Sequence, residues 1–107
     1  MINIKLNDGN YIPAVGFGVF MIPNNGPTYD ATLTALRTGY RHIDTAAAYM
    51  NETDVGRAVK DSGIKRDEIF ITSKLWLQDY GYDAAKRGIE TSLQNLGTGW
   101  IDLYLLH

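Results

Sequence analysis

The regular alternation of strand-like and helix-like segments restricts the fold of this chain more than any other feature. Apolar, strand-like segments begin at about residues 14, 40, 69 and 101, a repeat of roughly 30 residues, which is the length of one β-α unit. Segments with a helical apolar stripe separate them. Strands that alternate with amphipathic helices form parallel sheets with right-handed crossovers. We therefore predict an α/β fold with a parallel sheet.

The four strands are predicted at 14–20, 40–45, 69–76 and 101–107. The third is nearly continuous and rich in β-branched residues, as strands buried on both faces tend to be. An earlier segment, 2–12, alternates apolar and polar residues on both sides of Asp8-Gly9. This pattern predicts a small antiparallel hairpin, because glycine tolerates the positive φ of a tight turn. Pro13 limits its second strand.

Three helices are predicted from their termini. Pro27-Thr28 suits a helix entry with Thr28 as the N-cap, and Gly39 closes that helix. Asn51 is predicted to cap the second helix, with Asp54 as the acidic half of a capping-box-like pair. Gly63 ends the second helix. The third is predicted from about Tyr82 to Leu96, stopped by Gly97.

Composition narrows the classes of function. With 45% hydrophobic and 21% charged residues, the chain has the balance of a soluble globular protein. A net charge of −2, without a basic block, argues against nucleic-acid and anionic-membrane partners. The absence of cysteine excludes disulfides, thiolate metal sites and cysteine nucleophiles. No apolar run approaches the roughly 18 residues of a membrane span, and no signal-peptide pattern opens the chain, so we expect a cytoplasmic protein without a metal.

Residues 1–107 contain no linker or low-complexity tract, so we predict a single domain. Two architectures remain open at this point. One is a small doubly wound sheet, which would suit a ligand-binding domain. The other is the first half of an eight-stranded β/α barrel, which typically takes about 250 residues.

Three predicted strand ends carry polar groups in apolar surroundings. Asp44 closes the second strand, Lys74 lies near the end of the third, and His107 ends the fourth. Tyr49 follows Asp44 by five residues. In parallel β/α folds the carboxyl ends of the strands form the ligand-binding face. Each residue alone fits an ordinary structural role, but together they predict a catalytic cluster.

The chemistry of this cluster follows from charge. A lysine in a buried strand needs a counter-ion, and Asp44 at the end of the neighbouring strand can supply one. The ammonium of Lys74 would stabilise phenolate and so make a nearby tyrosine a usable general acid. We therefore predict that Tyr49 donates a proton and that His107 orients a substrate oxygen.

Three segments resemble the aldo-keto reductase family. The stretch 39–56, which reads GYRHIDTAAAYMNETDVG, is similar to the family signature. The stretch 71–76, ITSKLW, resembles the segment with the catalytic lysine, and 96–107 resembles the strand that ends in the catalytic histidine. The first strand end, GFGVF at 16–20, is most similar to microbial members of the diketogluconate-reductase type.

The resemblance implies a (β/α)8 TIM barrel, of which this chain would be the N-terminal part: a hairpin closing the bottom, about four strands and three helices. It implies that aldehydes or ketones are reduced by hydride from NADPH. The implied catalytic residues are Asp44, Tyr49, Lys74 and His107. The implied cofactor contacts are Gly18, Val19, Phe20 and Asp44, and the implied substrate contacts are Phe20, Tyr49, Trp76 and His107. Many relatives have Thr-Trp where this chain has Val19-Phe20.

The family's later strands, which hold most of the cofactor's phosphate contacts, are not in this sequence. We expect a barrel-length protein to be a monomer that takes small carbonyl substrates. The isolated chain should be inactive and should self-associate through 101–107. The alternatives are a non-catalytic half-barrel that pairs with a second copy and the doubly wound ligand-binding domain. Gly16-x-Gly18 supports the latter weakly, because it lacks the third glycine of a dinucleotide fingerprint.

Overall fold

A four-stranded parallel sheet forms the centre of the structure, a computed structural model that describes residues 2–107. A separate antiparallel hairpin precedes the sheet. The strands are β1 (Asn3–Lys5), β2 (Tyr11–Pro13), β3 (Phe17–Gly18), β4 (His42–Asp44), β5 (Phe70–Leu75) and β6 (Leu103–Leu106). The hairpin pairs β1 with β2, and the sheet has the order β3-β4-β5-β6 with every pair parallel. The predicted hairpin and parallel sheet are therefore confirmed.

Three helices connect the strands and lie side by side. They are α1 (Pro27–Thr38), α2 (Glu52–Asp61) and α3 (Tyr82–Leu96). Helix α1 packs against α2, and α2 packs against α3. Because the strands lie in sequential order, every right-handed crossover advances in the same direction and leaves its helix on the same face. A doubly wound sheet would reverse its order, so that alternative is wrong.

The hydrophobic core lies between the sheet and these helices. Its buried members are Val19, Leu36, Ile43, Val55, Val59, Ile69, Ile71 and Leu96. Successive residues of a strand face opposite sides. Ile43 and Ile71 therefore point towards the helices, whereas Asp44 and Lys74 lie on the other face. The sheet thus separates an apolar core from a polar face, and the predicted catalytic residues Asp44 and Lys74 belong to the polar face.

The first strand is much shorter than predicted. Only Phe17 and Gly18 of the expected 14–20 pair with β4, opposite Ile43 and Asp44. The chain then leaves the sheet through a turn that the Ile22 N–H closes by donating to the Val19 carbonyl oxygen at 3.1 Å. The last strand is also shorter, although the Asp102 and His107 amides still donate to β5 carbonyls.

Asn51 occupies the N-cap position of α2 as predicted, whereas Gly26 and not Thr28 occupies that of α1. The predicted side-chain caps are wrong for both helices, because groups distant in sequence take these roles. Helix α1 begins at Pro27, and Thr28 donates its hydroxyl to the carbonyl oxygens of Ile22 and Pro23 at 2.8 and 2.9 Å. In α2, Asn51 makes no side-chain cap. The Asn24 side-chain oxygen instead accepts the Asp54 N–H at 3.2 Å.

Asp54 in turn caps α1 from the side of α2. Its Oδ2 accepts the N–H groups of Gly26 and Tyr29 at 2.8 and 3.1 Å. A carboxylate is favourable there because helix N-termini carry a partial positive charge. Helices α1 and α2 therefore cap each other through Asn24 and Asp54. The predicted C-terminal glycines are confirmed: Gly39 and Gly97 occupy the C-cap positions of α1 and α3. Ser62 takes that position in α2, with Gly63 next.

None of the helices within residues 2–107 is both long and apolar enough to cross a bilayer.

Gly56 marks the closest approach of α2 to the end of α3. A Cβ at this position would lie 2.6 Å from the carbonyl carbon of Leu96 and 2.8 Å from its Cα. No L side chain fits there without moving the main chain of α3, so glycine is required by packing and not by φ.

We expect Gly56→Ala to destabilise the chain by about 1–3 kcal/mol, because overpacking outweighs the better helix propensity of alanine. Urea unfolding would measure the change. Gly99→Ala is the matched control, because a Cβ at Gly99 meets nothing within 4 Å. Equal stability of Gly56→Ala and Gly99→Ala would contradict the packing argument.

Candidate active site

The ammonium of Lys74 joins three segments at the carboxyl ends of the strands. Its Nζ donates to Asp44 Oδ1 at 2.5 Å, to the Thr45 carbonyl oxygen at 2.9 Å and to Tyr49 Oη at 3.4 Å. An ammonium has three N–H donors, so all of them are used. The Lys74 side chain is only 14% exposed. The predicted contact between Asp44 and Lys74 is confirmed.

The sheet register explains why these groups meet. Asp44 pairs with Thr72, and Lys74 lies two residues further along β5, on the same face. After Asp44, the Thr45 N–H donates to the Thr72 carbonyl oxygen at 2.9 Å and keeps the chain beside β5. A single 3₁₀ turn, Ala47–Tyr49, then brings the chain back towards the Lys74 side chain. It places the Tyr49 ring with its centroid 5.0 Å from Lys74 Nζ.

The hydrogen bond from Lys74 determines what Tyr49 can do. An ammonium only donates, so the phenol oxygen accepts this bond. The hydroxyl proton of Tyr49 is then free to be donated to another group. The ammonium also holds a positive charge beside the oxygen that would become negative when the proton leaves. This is the arrangement that a general acid requires.

Three further aromatic rings lie near Tyr49. Phe20 lies on one side with ring centroids 5.1 Å apart, and the imidazole of His107 packs edge-on at 5.8 Å. The ring centroid of Trp76 lies 5.4 Å from that of His107. A cleft of about 720 Å³ opens between these rings, lined also by Met21 and Met50. The sequence-predicted residues Phe20, Tyr49, Trp76 and His107 are thus brought together around one cavity.

His107 is tied to the sheet by its main chain. Its N–H donates to the Leu75 carbonyl oxygen at 3.1 Å, and its own carbonyl oxygen accepts the Tyr80 hydroxyl at 2.7 Å. The contact with Tyr80 is not among the contacts predicted from the sequence. The imidazole therefore projects from a fixed position at the end of β6.

The predicted cofactor residues fall into two groups. Gly18 and Phe20 border open space: a Cβ at Gly18 would meet nothing within 4 Å, and Phe20 is exposed. Val19, however, is fully buried in the core, its N–H donates to the Asp44 carbonyl oxygen and its own carbonyl oxygen accepts two hydrogen bonds. The Val19 side chain therefore faces the core and not this open space, and its predicted cofactor contact stays a prediction.

Two buried polar residues near the site were missed by sequence analysis as site residues. The Asn51 side chain bonds to Thr45 and to the turn after β3. Glu52 accepts the Ser73 hydroxyl at 2.7 Å, immediately before Lys74 in β5. Both follow Tyr49 closely, and at the start of a helix such residues suggest capping. No pattern in the sequence indicates that these side chains bond to distant segments and do not cap the helix.

His42 lies below the cluster on the same face of the sheet. Its Nε2 is 2.9 Å from Thr72 Oγ1, and a Cβ at Gly16 would lie 2.6 Å from its Nδ1. Burial lowers the pKa of His42 from its ordinary value of 6.5, and the nearby carboxylates of Asp44 and Asp102 only partly offset this. The folded protein therefore favours neutral imidazole.

This lowered pKa predicts a pH dependence of stability. Above about pH 6.5 the imidazole of His42 is neutral in the folded and in the unfolded chain. As the pH falls below that value, the unfolded chain binds a proton more readily than the folded chain, so the free energy of unfolding decreases. The free energy of unfolding should therefore fall between pH 7 and 5 more steeply in the wild type than in His42→Gln. Urea titrations at several pH values would measure it. Parallel curves for the two proteins would contradict the expectation.

Comparison with known proteins finds one family that resembles this chain in sequence and fold. Residues 15–107 match the sequence profile of the Aldo/keto reductase family. An aldo-keto reductase of Mycolicibacterium smegmatis is 54% identical over 104 residues, which is 97% of this chain and 38% of that protein. Glycerol 2-dehydrogenase (NADP(+)) of Saccharomyces cerevisiae is 48% identical over 104 residues, covering 97% of this chain and 32% of that protein.

The similarity extends to solved structures. The crystal structure of an aldo/keto reductase from Brucella melitensis has a TM-score of 0.96 at 50% identity, over 99% of this chain and 40% of that one. The predicted fold class, the N-terminal part of a β/α barrel, is confirmed by this agreement. The chain spans less than half the length of each of these proteins.

Proposed function

The chain belongs to the aldo/keto reductase family, and from this premise we propose that it is the catalytic N-terminal part of an NADPH-dependent carbonyl reductase. The observation that supports this most directly is the Lys74 ammonium, which donates to both Asp44 and Tyr49. Such an arrangement leaves the Tyr49 hydroxyl free to protonate a substrate oxygen. The substrates we propose are small aldehydes or ketones.

The residues at the strand ends fit a nicotinamide cofactor. The Asp44 side chain is 36% exposed although its Oδ1 binds Lys74, so part of the carboxylate remains available to a ribose hydroxyl. Gly18, paired with Asp44, borders open space. We propose that Gly18, Phe20 and Asp44 hold the nicotinamide end. When bound, NADPH supplies the hydride. The yeast relative whose name specifies NADP(+) supports this choice.

The chain's own residues would supply position and a proton. Tyr49 donates its hydroxyl proton to the carbonyl oxygen, while Lys74 stabilises the phenolate that remains. Asp44 holds the ammonium in place. His107 donates a hydrogen bond that orients the carbonyl, and Phe20 and Trp76 form the sides of the substrate cleft.

The oligomeric state, the location and the partners of the protein are also proposals. We propose that a barrel-length protein is monomeric and cytoplasmic and has neither nucleic-acid nor membrane partners. The net charge of −2 and the absence of cysteine support this proposal.

In a barrel-length protein that contains this chain, Tyr49→Phe should lower carbonyl reduction by at least about a hundredfold, the scale of general-acid catalysis. The cofactor should still bind, because the removed hydroxyl is proposed to contact only the substrate and Lys74. Steady-state NADPH oxidation and cofactor fluorescence titration would measure the two effects. Tyr82→Phe is the matched control, since Tyr82 is 80% exposed on α3. Equal turnover of Tyr49→Phe and wild type would show that another group supplies the proton.

A polypeptide of residues 1–107 alone should self-associate and lack appreciable reductase activity. The outer edge of β6 pairs with no strand among residues 2–107, and its Leu106 is 74% exposed, which is the setting for edge-to-edge association. A non-catalytic half-barrel that pairs with a second copy is therefore the alternative function of the chain by itself. Light scattering and NADPH oxidation with an aldehyde panel would test it. A monomer with turnover of about 1 per second or more would contradict the expectation.

A further inference from the structure

A strained turn presents Phe20 to the cleft. Residues 19–22 form a four-residue turn, closed by the hydrogen bond from the Ile22 N–H to the Val19 carbonyl oxygen. Met21, its third residue, has φ of 65°. Left-handed φ at this position of a turn favours glycine or asparagine, and a methionine stays there only when its surroundings hold it. Phe20 is 65% exposed at the tip, with its ring against Tyr49.

Asn51 bonds to both ends of this turn. Its Nδ2 donates to the carbonyl oxygens of Val19 and Ile22, each at 3.0 Å, and its Oδ1 accepts the Thr45 hydroxyl at 2.7 Å. The side chain is fully buried. The amide orientation is fixed, because the reverse placement would set an oxygen against two carbonyl oxygens. Every polar atom of the side chain therefore has a partner.

Other groups hold parts of the turn, but none spans it. The Val19 N–H donates to the Asp44 carbonyl oxygen, and the Thr28 hydroxyl donates to the Ile22 carbonyl oxygen. Among residues 2–107, Asn51 is the one side chain that bonds to both end carbonyls. It also follows Tyr49 by two residues, so it links the Phe20 turn to the segment that carries the phenol.

We propose that Asn51 is a positioning residue that keeps the strained turn closed and thereby holds Phe20 against Tyr49. The contact defines one side of the cleft, so Asn51 sets the width of the proposed substrate site without touching the substrate. The structural part of this inference stands independently, and only its effect on substrate selection rests on the proposed function.

Amide hydrogen exchange in the 107-residue chain tests the structural part. In Asn51→Ala the Ile22 amide should exchange at least about tenfold faster, because both hydrogen bonds from Asn51 Nδ2 to the turn are lost. The Phe70 amide, bonded to the Arg41 carbonyl oxygen within the sheet, should keep its rate. Thr28→Val is the matched variant: it removes the hydroxyl that bonds to the carbonyl oxygens of Ile22 and Pro23, leaves the Val19 end of the turn bonded to Asn51, and should have a smaller effect. Unchanged exchange at Ile22, or equal acceleration at both amides, would overturn the proposal.

A second substitution that relieves the backbone strain at Met21 should partly reverse the effect of Asn51→Ala. Met21→Gly removes the penalty of positive φ, so adding it to Asn51→Ala should restore part of the protection at Ile22. It should also restore the ring-current shift that Phe20 imposes on the Tyr49 ring protons. A double variant that exchanges as fast as Asn51→Ala would show that backbone strain does not drive the opening.

Kinetics in a barrel-length protein test the functional part. Asn51→Ala should raise KM for bulky aldehydes at least about tenfold more than for short ones, with a smaller effect on kcat, because Tyr49 and Lys74 remain in place. If the wild-type barrel-length protein reduces no carbonyl compound, the proposed function fails while the exchange result still decides the role of Asn51. Equal KM changes for bulky and short substrates would refute the role in substrate selection alone.

Discussion

The ammonium of Lys74 is the charge on which the arrangement of the site depends. A mostly buried ammonium must find acceptors for its three protons, because an unpaired buried charge is strongly unfavourable. The acceptors come from the end of β4, from the next residue and from the 3₁₀ turn, through Asp44, Thr45 and Tyr49. One side chain thus fixes the end of β4 and the 3₁₀ turn relative to β5, three segments that local sequence alone would leave independent.

The N-terminus of α2 connects this site to the outer layer of helices. Asn51, Glu52 and Asp54 are all buried polar residues within four positions. They hold, respectively, the turn after β3, the Ser73 hydroxyl on β5 and the N-terminus of α1. The position of each residue at the start of α2 suggests that it caps this helix, but its side chain bonds to a distant segment. Because Ser73 and Lys74 face opposite sides of β5, the same strand is held by Glu52 on one face and by Asp44 on the other.

The sequence predicted what depends on local pattern and order. Strand-helix alternation gave the parallel sheet, and the glycine at the end of α3 stopped that helix where expected. The pairing of Lys74 with Asp44 followed from their positions at the ends of neighbouring strands and from charge. The sequence could not predict the destination of Asn51 or the burial of Val19, because both depend on which distant carbonyl groups and helices the fold brings near. Strand lengths failed for the same reason: β3 ends at Gly18 because the chain then enters the turn that the Ile22 N–H closes on the Val19 carbonyl oxygen.

The central claim is that Tyr49 and Lys74 act as one proton-donating unit. A double-mutant cycle on carbonyl reduction in a barrel-length protein tests it most directly, comparing Tyr49→Phe, Lys74→Met and the double variant with the wild type. If the two residues form one unit, adding Lys74→Met to Tyr49→Phe should cost little further activity, because the acid that Lys74 assists is already gone. Losses that multiply fully in the double variant would show that the two side chains act independently, and would contradict the account.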